Sequence, residues 1–226
     1  GFRAGIPIGF AMFVGVTLQQ VALLYTTAGK TAFITTLYIV LVPLAAVLLG
    51  QRVRAAQWGG AVLAFAGVYF LSAHGETELN TGDILVFISS FFWMAQILLI
   101  DRYASTVDVI ELCLMQMLVC TLGNTMLAAA YEPFAWSAVA GAAFPILYGG
   151  ILSCGVAYTC QILGQAYVEP TQASILLSLE AVFAAVSGWI VLGETMSGIQ
   201  LFGCALLLGG ALIAQMHGTG KQQEFD

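Results

Sequence analysis

Apolar residues run in long blocks along the whole chain, and short polar stretches separate them. Each block is close to the ~20 residues that carry an α-helix across a hydrocarbon layer of about 30 Å. The pattern predicts eight helical spans: Gly5–Tyr25, Thr31–Leu49, Gln57–Ser72, Asp83–Ile100, Val109–Tyr131, Phe144–Tyr167, Ala173–Leu192 and Ser197–Gln215. The connections are short. Thr26–Lys30 is a tight turn, Gly50–Ala56 carries Arg52 and Arg54, Ala73–Gly82 is polar and acidic, and Asp101–Asp108 carries Arg102. Glu132–Ala143 holds Pro133 and Trp136 and is expected to lie partly at the membrane interface. Val168–Gln172 contains Pro170, which suits the first turn of the following helix. The tail from His217 to Asp226 is polar and expected to be disordered.

The pattern repeats. Gly50, Gln57, Gly60 and Gly67 recur as Gly193, Gln200, Gly203 and Gly210, each pair 143 residues apart. Thr17, Gln19 and Tyr25 recur as Thr159, Gln161 and Tyr167 at an offset of 142, and Ala32 as Ala173 at 141. Spans one to three therefore correspond to spans six to eight. Equivalent helices are five spans apart, and an odd offset sets the two copies in opposite orientations across a membrane. Inverted repeats of this kind are common in secondary transporters, whose substrate site lies near the midplane between them. A five-span unit implies ten spans. Only eight are present and the chain opens with Gly1, so two N-terminal spans are expected to precede this sequence. The alternative is a true eight-span protein. The repeat divides the chain into residues 1–75 (the last three spans of the first unit), 82–216 (a complete second unit) and the tail 217–226.

Composition narrows the class. Hydrophobic residues make up 60% of the chain and charged residues 8%, against about 25% charged in soluble domains. Mean hydropathy is +0.95. These values exclude a soluble globular domain, and the repeated spans exclude a cleaved signal peptide as their explanation. Arg3, Arg52, Arg54, Arg102 and Lys221 fall on one side of the predicted topology and Lys30 on the other. The excess of basic residues in cytoplasmic loops then puts both ends of the chain in the cytoplasm, in a plasma-membrane protein. Five cysteines all lie inside apolar runs, with no CxxC pair, and read as free packing thiols. His74 and His217 lie in a loop and the tail. No catalytic set, phosphate loop, metal cluster or basic nucleic-acid patch stands out, so neither an enzyme nor a cofactor is expected.

Two long motifs carry a family resemblance. The first copy reads YTTAGKTAFITTLYIVLVPLAAVLLGQRV and then WGGAVLAFAGVYFLS. The second reads GVAYTCQILGQAYVEPTQASILLSLEAVFAAVSGWIVLGE and then LFGCALLLGGALI, and the fourth span opens GDILVFISSFFWMAQILL. Together they resemble the drug/metabolite transporter superfamily in its EamA-type branch, along nearly the whole chain. The resemblance implies an all-α membrane protein of ten spans in two inverted five-span repeats, with both ends cytoplasmic. There are two departures. Ala181 stands where that family usually has a proline after the acid of the seventh span, which leaves a helix break at Glu180 without its usual residue. Gln51 stands where the first copy usually has Glu.

Glu180 is the sharpest single residue. An acid at a helix centre costs roughly 2.5–3.5 kcal/mol on insertion scales. Ten Leu, Ile, Val and Phe residues in the same span return about 3–6 kcal/mol, so the helix still inserts. No Lys or Arg sits mid-span as a partner. The acid must be protonated, hydrogen-bonded or facing a wet cavity. Two roles stay open: a proton or substrate site, or a clip to a neighbouring helix. Tyr158, Gln161 and Gln165 share one face of the sixth span, Trp93 and Gln96 one face of the fourth, and Thr35 and Tyr38 one face of the second. Gln19, Gln116 and Asn124 are also mid-span. Each side chain alone suits an interhelical clip; collectively they outline a polar lumen. Substrate-binding candidates are therefore Gln19, Thr35, Tyr38, Trp93, Gln96, Gln116, Tyr158, Gln161, Gln165 and Glu180. Gly60, Gly67, Gly203 and Gly210 suit close helix approach, and Gly149, Gly150 and Gly155 suit a bend in the sixth span. Asp83, Glu169 and Glu194 sit at span ends, where a solvated or capping role fits.

The leading expectation is a secondary transporter of small polar metabolites working by alternating access in a lipid bilayer, with proton coupling through Glu180. The substrate class, amino acids or their derivatives, is implied by the resemblance. A membrane sensor or assembly subunit built on the same bundle is the alternative.

Overall fold

The computed structural model describes residues 2–72, 80–132, 135–192 and 196–216. His74, Glu76, Pro133, Gly193, Glu194, His217 and the tail lie outside these residues. All regular structure among the described residues is helical: α1 (Phe2–Ala22), α2 (Ala28–Thr35), α3 (Tyr38–Leu48), α4 (Ala55–Ser72), α5 (Thr81–Tyr103), α6 (Val109–Tyr131), α7 (Trp136–Gly141), α8 (Ala143–Tyr148), a π-helical segment (Gly149–Ala157), α9 (Tyr158–Gln165), α10 (Pro170–Leu177), α11 (Glu180–Leu192) and α12 (Gly198–Gln215). Among the described residues seven stretches are long and apolar enough to cross a membrane, and α4 is a shorter apolar helix. All eight predicted spans are thus helical, and the chain is a multi-pass α-helical membrane protein. Large apolar side chains such as Leu24, Leu48, Phe144 and Ile190 are exposed on its outside, where a bilayer rather than water is the fitting solvent.

Local chemistry sets the helix ends. Asn80 and Asp83 form a capping box at the start of α5, as Ser197 and Gln200 do for α12. Asp108 accepts the Ile110 and Glu111 N–H groups at 2.9 and 3.1 Å. Pro170 opens α10. After α3, the Gly50 N–H donates to Val47 and the Gln51 N–H to Ala46, and Gly50 takes φ +83°. That is a Schellman end, which needs a residue free to adopt positive φ.

Two predicted spans are not continuous helices. The second breaks between α2 and α3 at Thr36–Leu37, and the seventh between α10 and α11 at Ser178–Leu179. The Leu37, Ile39 and Val40 N–H groups donate three residues back, and Leu179, Ala181 and Val182 repeat the pattern 142 residues later. Thr36 Oγ1 donates to the Phe33 carbonyl at 2.7 Å, and Ser178 Oγ to the Ile175 carbonyl at 2.6 Å. A hydroxyl drawn back onto its own helix, with a tight 3₁₀ turn, bends the chain without any proline. The sixth span is irregular as well. Its glycine-rich middle forms nine residues of π-helix.

Helix α4 packs along α12, α1 lies against α5 and α6, and α10 lies against α3 and α12. Gly60 faces Gly210 and Gly67 faces Gly203, so α4 and α12 cross antiparallel with backbone against backbone. One apolar core joins Ile39, Val42, Val68, Ile175 and Leu207 from α3, α4, α10 and α12. A second joins Ile8, Ile100, Leu112 and Ile162 from α1, α5, α6 and α9.

Candidate functional site

A cavity of about 510 Å³ opens among α1, α2, α3, α5, the π-helical segment and the three helices that follow it. The broken spans frame it. Thr35 and Tyr38 flank the break in the second span, and Leu177, Leu179 and Glu180 flank the break in the seventh. Trp93 and Gln96 enter from α5, Gln19 from α1, and Tyr158 and Gln161 from α9. Eight of the ten polar side chains singled out in the sequence thus meet at one place: Gln19, Thr35, Tyr38, Trp93, Gln96, Tyr158, Gln161 and Glu180.

Gln116 and Gln165 do not line the cavity; they stand behind its wall. Gln161 Nε2 donates to Gln96 Oε1 and Gln165 Oε1, both at 3.4 Å. Gln96 Nε2 donates to Gln116 Oε1 at 3.4 Å, and Gln165 Nε2 to the Ile97 carbonyl at 3.4 Å. This chain of amides ties α5, α6 and α9 together and fixes the wall. Gln19 Nε2 donates to Thr35 Oγ1 at 3.0 Å on the opposite side. Gln116 Nε2 and Trp93 Nε1 are buried with no hydrogen-bond partner among the described residues. Asn124, by contrast, is a clip: Thr17 Oγ1 donates to Asn124 Oδ1 at 3.2 Å across α1 and α6.

Among the described residues, Glu180 is the one carboxylate on the lining, and no Lys, Arg or His accompanies it there. Its side chain is exposed to the cavity, at the first position of α11. Tyr38 and Tyr158 line the same cavity. Phe183, one turn further along α11, also lines the cavity. The sequence held a signal for it, since residues three apart share a helix face. Ser153 was missed because it stands five residues before Tyr158, a spacing that an α-helix puts on different faces. The i→i+5 geometry of the π-helical segment brings the two to one wall.

The charges at the span ends are more engaged than expected. Asp83 is 2% exposed. It caps α5, accepts from Thr26 Oγ1 at 2.7 Å and pairs with Lys30 Nζ at 2.7 Å. It is buried and capping, not solvated. Glu169 stands at the N-cap of α10 without capping it; its carboxylate accepts from Gln57 Nε2 on α4. A second cavity, of about 580 Å³, adjoins this contact and is lined by Arg52, Arg54, Asp101 and Thr171 among others. Cys113, Cys120, Cys154, Cys160 and Cys204 are all free thiols. Among the described residues no group of three or more metal-ligating side chains converges.

A bundle of membrane-crossing helices around a cavity with polar side chains on its wall defines a class: multi-pass α-helical membrane proteins. Comparison with known proteins narrows it. Residues 80–216 match the EamA-like transporter family. The chain is 33% identical over 220 residues to an uncharacterized transporter of Archaeoglobus fulgidus, covering 96% of this chain and 70% of that protein. A second uncharacterized transporter of the same organism is 35% identical over 65 residues, covering 29% of this chain and 24% of that protein. One crystal structure shares the fold with a TM-score of 0.82 at 19% identity, over 96% of this chain and 77% of the other. The chain belongs to the EamA-like transporter family and is a membrane transporter.

Proposed function

We propose that this protein is a secondary transporter that carries small polar metabolites, amino acids or their derivatives, through the cavity around Glu180 by alternating access. The observation that carries the reading is the convergence of eight mid-span polar side chains, drawn from separate helices, on one cavity. Isolated clips would be scattered through the bundle, as Thr17–Asn124 is.

Two inverted repeats supply the moving parts in this reading. Support comes from the matched 3₁₀ breaks, 142 residues apart, and from the α4–α12 crossing. There Gly60 meets the counterpart of Gly67, and Gly67 meets the counterpart of Gly60. Such an exchange is what a two-fold axis in the membrane plane produces. Both chain ends lie in the cytoplasm of a plasma-membrane protein, on the strength of the basic residues at 3, 52, 54 and 102. Proton coupling runs through Glu180, the one carboxylic acid on the lining among the described residues.

The test is flux in proteoliposomes of the full-length protein, over a panel of labelled metabolites, with and without a proton gradient. Saturable flux driven by the gradient supports the reading. No flux of any panel member under either condition overturns it.

A further inference from the structure

We infer that the Glu180 cavity is built for a small organic cation, an amine or ammonium group attached to an apolar body, and that it turns anions away. The inference rests on the transport reading above and assigns the charge of what is carried.

Two observations carry it. First, the ionisable charge of the lining is one-sided. Among the described residues Glu180 is a carboxylate without Lys, Arg or His beside it on the wall, and it has no hydrogen-bond or ion-pair partner there. An ionised carboxylate facing a low-dielectric cavity attracts a cation and repels an anion far more strongly than it would in water. Second, much of the remaining wall is aromatic. Tyr38, Trp93, Tyr158 and Phe183 come from four different elements, and ring faces attract cations while their bodies shelter apolar groups.

The arrangement calls for four ligands of one shape and different charge: phenethylamine, 2-phenylethanol, 3-phenylpropionate and phenylalanine. Their affinities for the purified full-length protein are measured by titration calorimetry. Phenethylamine is expected to bind at least about tenfold more tightly than the neutral alcohol, with the acid weakest. In Glu180→Gln the preference for the amine over the alcohol should collapse to within about twofold, because the neutral amide lacks the charge. Phe183→Leu should weaken the amine by about two- to fivefold and barely move the alcohol. Several results would overturn the inference: the acid or alcohol binding as tightly as the amine, an amine preference that survives Glu180→Gln, or no binding by any of the four. Labelled phenethylamine and phenylalanine in proteoliposomes separate this idea from the transport reading. An amine that binds selectively but never crosses sinks the transport reading alone. Flux of phenylalanine that ignores Glu180→Gln sinks the charge inference alone.

Discussion

Adding one methyl group to α4 should distinguish neighbouring glycines sharply. A Cβ on Gly60 would lie 2.6 Å from the Gly210 carbonyl oxygen and 2.7 Å from the Ala214 Cβ. The first contact is roughly 0.7 Å inside the ~3.3 Å at which carbon and carbonyl oxygen normally meet. The obstructing oxygen belongs to backbone, so relief requires α4 and α12 to move apart. Overpacking of this kind costs about 1–3 kcal/mol. A Cβ on the adjacent Gly59 meets nothing within 4 Å. Both substitutions gain the same helix propensity, about 1 kcal/mol for Ala over Gly, so that contribution cancels in the comparison. Gly60→Ala should therefore be about 1–3 kcal/mol less stable than Gly59→Ala. Gly209 and Gly210 offer a second pair: nothing lies within 4 Å of the first, and the Gly60 carbonyl oxygen lies 2.7 Å from the Cβ position of the second. The assay is equilibrium unfolding in mixed micelles, followed by helical circular dichroism. If Gly60→Ala is as stable as Gly59→Ala, and Gly210→Ala as stable as Gly209→Ala, the close backbone crossing is wrong.

Three further outcomes follow from the same structure. Glu180→Gln cannot titrate, so its flux should stay flat across a pH range over which the wild type changes; a wild-type pH profile in this variant, at matched membrane levels, removes Glu180 from coupling. Lys30→Met strips the buried Asp83 of its 2.7 Å ion partner and should destabilise the protein by about 3 kcal/mol, as read by thermal unfolding in detergent; an unchanged melting temperature would show that the pair contributes nothing. In a background without native cysteines, Thr27→Cys should react with an impermeant maleimide outside intact cells and Arg52→Cys should not; the reverse pattern inverts the proposed topology.

The spans were legible because a bilayer demands unbroken apolar length, which single-sequence hydropathy records directly. The polar face of α9 was legible too, since Tyr158 and Gln161 need only helical spacing to coincide. Whether Gln116 and Gln165 line the cavity or brace it from behind depends on how each helix is rotated against its neighbours, and spacing along one helix does not fix that. The break before Tyr38 was not legible, and the one before Glu180 was in doubt without its proline, because Thr36 and Ser178 are ordinary helix residues until their hydroxyls turn back onto the chain. The burial of Asp83 escaped for a similar reason: its partner Lys30 is more than fifty residues away in sequence.

The central claim, that solute passes through the Glu180 cavity, is tested most directly by plugging it. Ala157 lines the cavity in the π-helical segment, and Ala157→Trp would fill it with an indole while leaving the helix crossings untouched. The measurement is gradient-driven uptake by proteoliposomes holding equal amounts of folded wild-type and variant protein. The account predicts uptake by the wild type and little or none by Ala157→Trp. Equal uptake by both would mean that the solute takes another route.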